Sequence, residues 1–295
     1  MKPDPALTMG VRLGFPANRA TRLTGGNLNR VHRLEGLGGS AILKVAPPYV
    51  ASDPSIPLDP TRNRHERLAL LRAAEVLGAE RVPAVLGHDD DRHALLLEDL
   101  GPGRPLPLDE AFLRALGGVI GTLHRATWGD GDAALANPSV QATRHAIQYS
   151  QVPGWLANLG HDRSLGEPVV QLGRRLRDEP GVCLVMGDLW PRAVHVGETR
   201  WALIDWELAH HGQPLQDTAH LRAHLFLMDP DPRWPTAFEA GYREAFPEHE
   251  PDPDAPLHEA AELLARTVGA FPMLDDDDPR RPAVLARAVH LLDAP

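Results

Sequence analysis

Apolar spacing changes character once along this chain, at Gly101-Pro102-Gly103. Before that point the segments are short and strand-like, separated by turn residues. Thr21–Glu35 carries Gly25-Gly26-Asn27 at its turn, with Leu23, Leu28, Val31 and Leu34 as apolar positions, and reads as a hairpin. Gly36–Gly39 is a second turn, and Ser40–Ala46 (SAILKVA) is β-like. Residues 47–60 hold five prolines and read as loop. Thr61–Leu77 has Leu68, Leu71, Ala74 and Leu77 at helical spacing, with Gly78 as a stop. Val82–Leu86 and His93–Leu100 read as strands joined by His88–Arg92. After the break, Asp109–Trp128 sets Phe112, Leu116, Val119, Ile120 and Leu123 on one helical stripe. Helices are expected near 139–150, 164–178, 214–228, 235–246, 256–270 and 280–293, interrupted by a β-rich island at Val182–Ile204. The pattern predicts an α+β protein: a small β-rich lobe with one helix over 1–100, then a larger, mainly helical lobe over 101–295.

Composition removes several classes. A 43% hydrophobic and 24% charged chain of 295 residues is globular in balance, in one large domain or two modest ones. No apolar run nears the roughly 20 residues of a membrane span. The start has no basic region followed by an apolar one, so no secretory signal is expected. One cysteine, Cys183, excludes an internal disulfide framework and suits a reducing, cytoplasmic setting. A net charge of −10 argues against a phosphate-tracking nucleic-acid partner. Of 30 basic residues only Lys2 and Lys44 are lysines, so a lysine inside SAILKVA asks for a reason.

Glycines between two strands let backbone N–H groups approach an anion closely, and a lysine on the neighbouring strand adds a point charge for phosphate oxygens. Gly25, Gly26 and Asn27 with Lys44 fit that pattern; each alone is equally a plain turn or a lysine covering apolar surface. Glu66, 22 residues on, either meets Lys44 or stands exposed beside Arg62 at i−4. In the island, a strand ends at Met186, a loop carries Asp188, and a hairpin over Val194–Ile204 returns Asp205 toward Ala193. Two acids at an apolar lip call for a cation such as Mg²⁺ with a polyphosphate, or are turn caps.

The ordered set of glycine turn, Lys44, Glu66, Leu-Leu-Leu-Glu-Asp-Leu (95–100), Gly-Asp-Leu-Trp-Pro (187–191) and Ile-Asp-Trp-Glu (204–207) resembles the aminoglycoside phosphotransferase superfamily. That group of small-molecule kinases has a protein-kinase-like bilobal fold and includes choline and methylthioribose kinases. Gly25–Asn29, Pro48-Tyr49-Val50 and Leu97–Leu100 look like the methylthioribose branch; Trp206-Glu207, Gly212–Pro214 and Asp217 look like the choline and aminoglycoside branch. The resemblance covers roughly residues 20–225. It implies an ATP-dependent, Mg²⁺-requiring transfer to a hydroxyl of a small molecule: a sugar-like metabolite, an amino alcohol or an aminoglycoside. By it, Lys44 contacts the α/β-phosphates, Glu66 orients Lys44, and Glu98 and Leu100 bind adenine through their backbone. Asp188 is the catalytic aspartate and Asp205 the Mg²⁺ ligand.

Two positions depart from the family. Met186 stands where it usually has His, and Ala193 where it usually has a metal-binding Asn, so a nucleotide-binding pseudokinase is the alternative. His220 and His224 are i,i+4 but lack the glutamate of a zinc protease, and are expected to face solvent or cap. His210-His211 is expected in a loop on the substrate side, and His124 in the core. Trp190 and Trp206 either stack on a sugar or base or roof a pocket, and Cys183 is expected to be inert.

Overall fold

A computed structural model describes residues 4–24, 28–269 and 271–293. In chain order the elements are α1 (Pro5–Arg12), β1 (Arg19–Arg22), β2 (Arg30–Gly36), β3 (Gly39–Val45), β4 (Tyr49–Val50), β5 (Asp53–Pro57), α2 (Arg62–Leu77), β6 (Val85–Asp89), β7 (Ala94–Glu98), α3 (Glu110–Ala126), α4 (Pro138–Ile147), α5 (Val152–Asn158) and α6 (Glu167–Asp178). There follow β8 (Cys183–Val185), β9 (Val194–Val196), β10 (Trp201–Leu203), β11 (His210–Gly212), α7 (Leu215–Met228), α8 (Arg233–Ala245), α9 (Ala255–Val268) and α10 (Arg281–Asp293). The chain divides into two compact units: Met1–Pro105 with Ala193–Ala209, and Leu106–Arg192 with His210–Pro295.

The first unit is built on a five-stranded sheet in the order β1-β2-β3-β7-β6, antiparallel throughout. Successive side chains alternate between its faces. Ala41 and Leu43 of β3 and Ala94 and Leu96 of β7 point to one face and pack with Ala6 and Met9 of α1 and with Leu13 just beyond it. Lys44 is one residue beyond Leu43 and therefore on the opposite face, where it meets α2. β4 and β5 pair as a small separate hairpin where loop was expected. Prolines are tolerated in so short a two-stranded piece because both strands are edges. β9 and β10 form the two-stranded hairpin of 193–209, closed by Ile204 N–H donating to Ala193 O at 2.8 Å.

The second unit is helical. α3 begins at an Asp109 cap whose carboxylate accepts from Phe112 N at 2.8 Å. It packs closely on α8 through glycines: a Cβ at Gly117 would land on the Phe238 carbonyl, and one at Gly241 on the Arg114 carbonyl. α5, α6, α7, α9 and α10 share the main apolar core, with Leu156, Leu172, Ala219, Leu263 and Leu264 at its centre. α5 and α1 are helices that the apolar spacing did not announce. β8 pairs with β11, so His210-His211 is a buried strand and not a loop. Among the described residues no helix is long and apolar enough to cross a membrane.

Candidate active site

In the first unit, Lys44 Nζ donates to Glu66 Oε1 at 2.6 Å and to Asp205 Oδ1 at 2.9 Å. Glu66 is fully buried on α2, so its exposed alternative is excluded. Burial works against the ammonium, but Asp205, Glu66 and Glu207 together overcome it and raise its pKa. Glu207 is buried as well. Burial first, and then the Asp205 charge, push its carboxyl well above the usual range, while the Asn29 amide donates to its Oε2. Arg62, buried at the start of α2, spends its guanidinium on carbonyls, donating to Pro47 O, Asp59 O and Leu28 O. The last of these bonds holds the residue that follows Asn27. Asp205 has φ +66°, in the left-handed region that is uncommon outside glycine and that aspartate enters more readily than most residues. Glu98 N–H donates to Ala84 O at 2.9 Å, and its carboxylate accepts from Arg200 Nη2 at 2.6 Å. A cavity of about 140 Å³ is bordered by Glu98, Leu100, His195, Thr199 and Arg200. Gly25, Gly26 and Asn27 lie outside the described residues.

In the second unit the loop carrying Asp188 is held from two sides. Asp217, near the start of α7, accepts from Met186 N and Gly187 N, both at 2.8 Å. Arg144 of α4 donates to Gly187 O. Gly187 itself takes φ +73°, which a side chain would resist. Asp217 also lies 3.2 Å from His124 Nε2, whose other ring nitrogen is 3.0 Å from the Tyr242 hydroxyl. Since the carboxylate can only accept, His124 carries its proton on Nε2 and accepts from Tyr242 at Nδ1. Asp188 Oδ1 is 3.1 Å from His220 Nε2 and 3.6 Å from Arg266 Nη2. Burial favours the neutral acid. The close approach of His220 and the charges of Arg266 and Arg144 outweigh it and hold the carboxyl at about 2. Behind this group Glu262 accepts from Gln148 Nε2 at 2.7 Å, His224 Nε2 at 3.1 Å and Arg266 Nε at 2.5 Å.

A buried lysine between two acids, and a braced loop aspartate, are each the kind of group that phosphoryl-transfer sites use. The sequence model of the phosphotransferase enzyme family (APH) matches residues 19–256. The chain belongs to that family. A 4-hydroxytryptamine kinase of Psilocybe cyanescens is 26% identical over 259 residues, covering 75% of this chain and 71% of that protein. Among solved structures, amicoumacin kinase hAmiN in complex with AMP-PNP, Ca²⁺ and Ami superposes with a TM-score of 0.61 at 15% identity, over 98% of this chain and 93% of that one. The choline kinase LicA of Streptococcus pneumoniae does so with a TM-score of 0.57 at 16% identity, over 93% and 92%. The fold is the α+β, protein-kinase-like one, and the protein is a small-molecule phosphotransferase.

Within this family member, several side chains fall elsewhere than expected. His220 and His224 do not face solvent: they are 0% and 1% exposed, because α7 is packed on all sides. Trp206 is fully buried, its indole N–H donating to Leu203 O at 2.9 Å, so it is structural. Trp190 is half-buried with its ring 5.9 Å from that of His224. Cys183 is buried and burial pushes its thiol well up, in keeping with an inert role. Arg144, Glu262 and Arg266 were not found from sequence. Glu262 and Arg266 form an i,i+4 pair, the one signal that spacing offered for them.

Proposed function

We propose that this phosphotransferase moves the γ-phosphoryl group of ATP to a hydroxyl of a small molecule, with Lys44 on the phosphates and Asp188 on the hydroxyl. The observation that carries the reading is Lys44, buried and clasped by Glu66 and Asp205. An ammonium so placed is fixed in direction and gives up part of its pairing to a polyphosphate without moving. Asp188, ionised, would accept the acceptor hydroxyl's hydrogen bond and take its proton late in transfer. Glu98 and Leu100 would present backbone groups to adenine. Because Glu98 N–H is already bonded to Ala84 O, its carbonyl is the group left to offer.

A divalent cation fits the residues present. Glu66, Asp205 and Glu207 set three carboxyl groups around Lys44 while Arg62 is already engaged with carbonyls, and a cation would relieve the repulsion by which Asp205 raises the Glu207 carboxyl. Asp205 would hold Mg²⁺, with Glu207 the further carboxylate within the unit, since Ala193 offers no side-chain oxygen. When bound, the ion would neutralise phosphate charge. The relatives are named for a hydroxytryptamine, choline and amicoumacin, so hydroxytryptamines, amino alcohols and amicoumacin form the first acceptor panel, joined by the sugar-like metabolites and aminoglycosides that the family resemblance suggests.

Calorimetry with ATP, with and without Mg²⁺, tests the nucleotide half, and Asp188→Asn tests the transfer half. Binding should tighten markedly with Mg²⁺. The variant should lose about 10²–10⁴-fold in turnover while keeping ATP affinity. Absent ATP binding, or unchanged turnover in Asp188→Asn, would overturn the assignment.

A further inference from the structure

His220 is fully buried, and its two ring nitrogens face different chemistry. Nδ1 is 2.9 Å from Arg144 Nη2, and a guanidinium only donates. That nitrogen must therefore carry the lone pair. Glu262 Oε2 is farther away, at 3.5 Å from Nδ1, and is already taken by Gln148 Nε2. The ring proton consequently sits on Nε2, 3.1 Å from Asp188 Oδ1.

We propose that His220 is a positioning residue for Asp188: fixed by Arg144 as the Nε2–H tautomer, it donates to the carboxylate and sets the face that meets the acceptor. The inference rests on Asp188 being the residue that meets the acceptor. Despite the 3.1 Å approach, Nε2 makes no aligned hydrogen bond to Asp188 in the structure, as catalytic contacts often do not before substrate tightens them. Met186 stands two residues before Asp188, where the family resemblance sets a histidine, and it is buried in the core; the imidazole near Asp188 comes instead from α7. The same arrangement engages two of the three groups of the cluster His220, His224 and Glu262, which are close enough together to suggest a metal site. His220 has its lone pair on Arg144 and its proton toward Asp188, and Glu262 is paired with Arg266.

Other charged groups bear on the pair. His220 also faces His224 on α7, with ring centroids 4.9 Å apart, and His258 on α9, at 6.0 Å. Asp188 also faces Arg266 on α9, and Arg144 on α4 adds its charge. Removing His220 leaves those arginines in place, so Asp188 stays ionised at neutral pH but loses its direction. The acid limb of the rate–pH profile should move up, because a donor to the charged form has gone.

Long-range ¹H–¹⁵N correlation on the intact protein reads the tautomer without any acceptor; a neutral Nε2–H form is expected. A neutral Nδ1–H form would overturn the proposal. ADP release from MgATP, with water as the acceptor, reads the consequence. His220→Leu should lower kcat by about 10²-fold with KM for ATP unchanged, and His220→Gln, which keeps a donor, should recover part of it. Melting curves check that both variants fold; if the leucine variant does not, the tautomer and the glutamine variant still decide. Full rate in His220→Leu while Asp188→Asn is inactive sinks the positioning role alone. Full rate in Asp188→Asn sinks the reading of Asp188 instead.

Discussion

The Lys44 ammonium has two carboxylate partners, and a substitution there changes charge inside a buried site. Lys44→Ala leaves Glu66 buried and unpaired, which costs about 3–5 kcal/mol. The double replacement Lys44→Met with Glu66→Met removes both charges, and should return most of that stability while abolishing ATP binding. Urea unfolding of Lys44→Met, Glu66→Met and the double variant measures the coupling; a loss in the double equal to the sum of the two singles would mean that the pair is not energetically coupled. Lys44 was legible in the sequence because a lone lysine in an apolar strand is chemically out of place, whereas Glu66 gained meaning only beside it, an acid on a helix being equally an exposed partner of Arg62. Arg144 was not legible, since an arginine in an arginine-rich chain stands out from nothing. The left-handed φ of Asp205 was equally hidden, as backbone conformation at a single aspartate leaves no mark on spacing.

Elements with one apolar stripe could be placed from spacing, and those without one were misjudged. α3 shows a single stripe, and its observed range lies within two residues of the expected one. α7 buries Leu215, Ala219, Leu221, Ala223 and Leu225 on one broad side and Gln216, Asp217, His220 and His224 on the other; a helix covered on every side is a buried helix, and its histidines go inside with it. β11 has three residues, too few for a period to show. The α3–α8 contact depends on missing side chains. Gly241→Ala would set a methyl on the Arg114 carbonyl and should cost at least about 1–3 kcal/mol. Adding Gly117→Ala should cost less than its separate effect, because the helices have already been forced apart. Thermal melts of the two singles and the double test both statements; an unchanged Gly241→Ala melt would show that the helices have slack.

Over the whole molecule, acid stability is set mainly by the second unit. Burial holds His224 at about 4 and His258 well below the usual range, while donors and cations hold Asp188 at about 2 and Glu262 well below its own. In each case the unfolded chain binds its proton at a higher pH than the folded one, so stability falls as pH drops. The histidine share is lost first, from about 6.5 down through 4, and for His224 alone is on the order of 3 kcal/mol. The carboxylate share follows below about 4. Hydrogen exchange between pH 7 and 4.5 should show α7 and α9 losing protection as the pH falls; protection independent of pH would contradict the assignment.

The hairpin Ala193–Ala209 belongs to the unit otherwise made of Met1–Pro105, and this bears on synthesis. When the ribosome has released residue 105, the sheet, α1 and α2 are all present, but Lys44 still lacks Asp205. Leu106–Arg192 must be made before that partner arrives. The nucleotide-side unit is therefore an early draft that waits for the middle of the chain. A gene cut at the visible change in periodicity would yield a fragment with its lysine in place and half of its clasp missing.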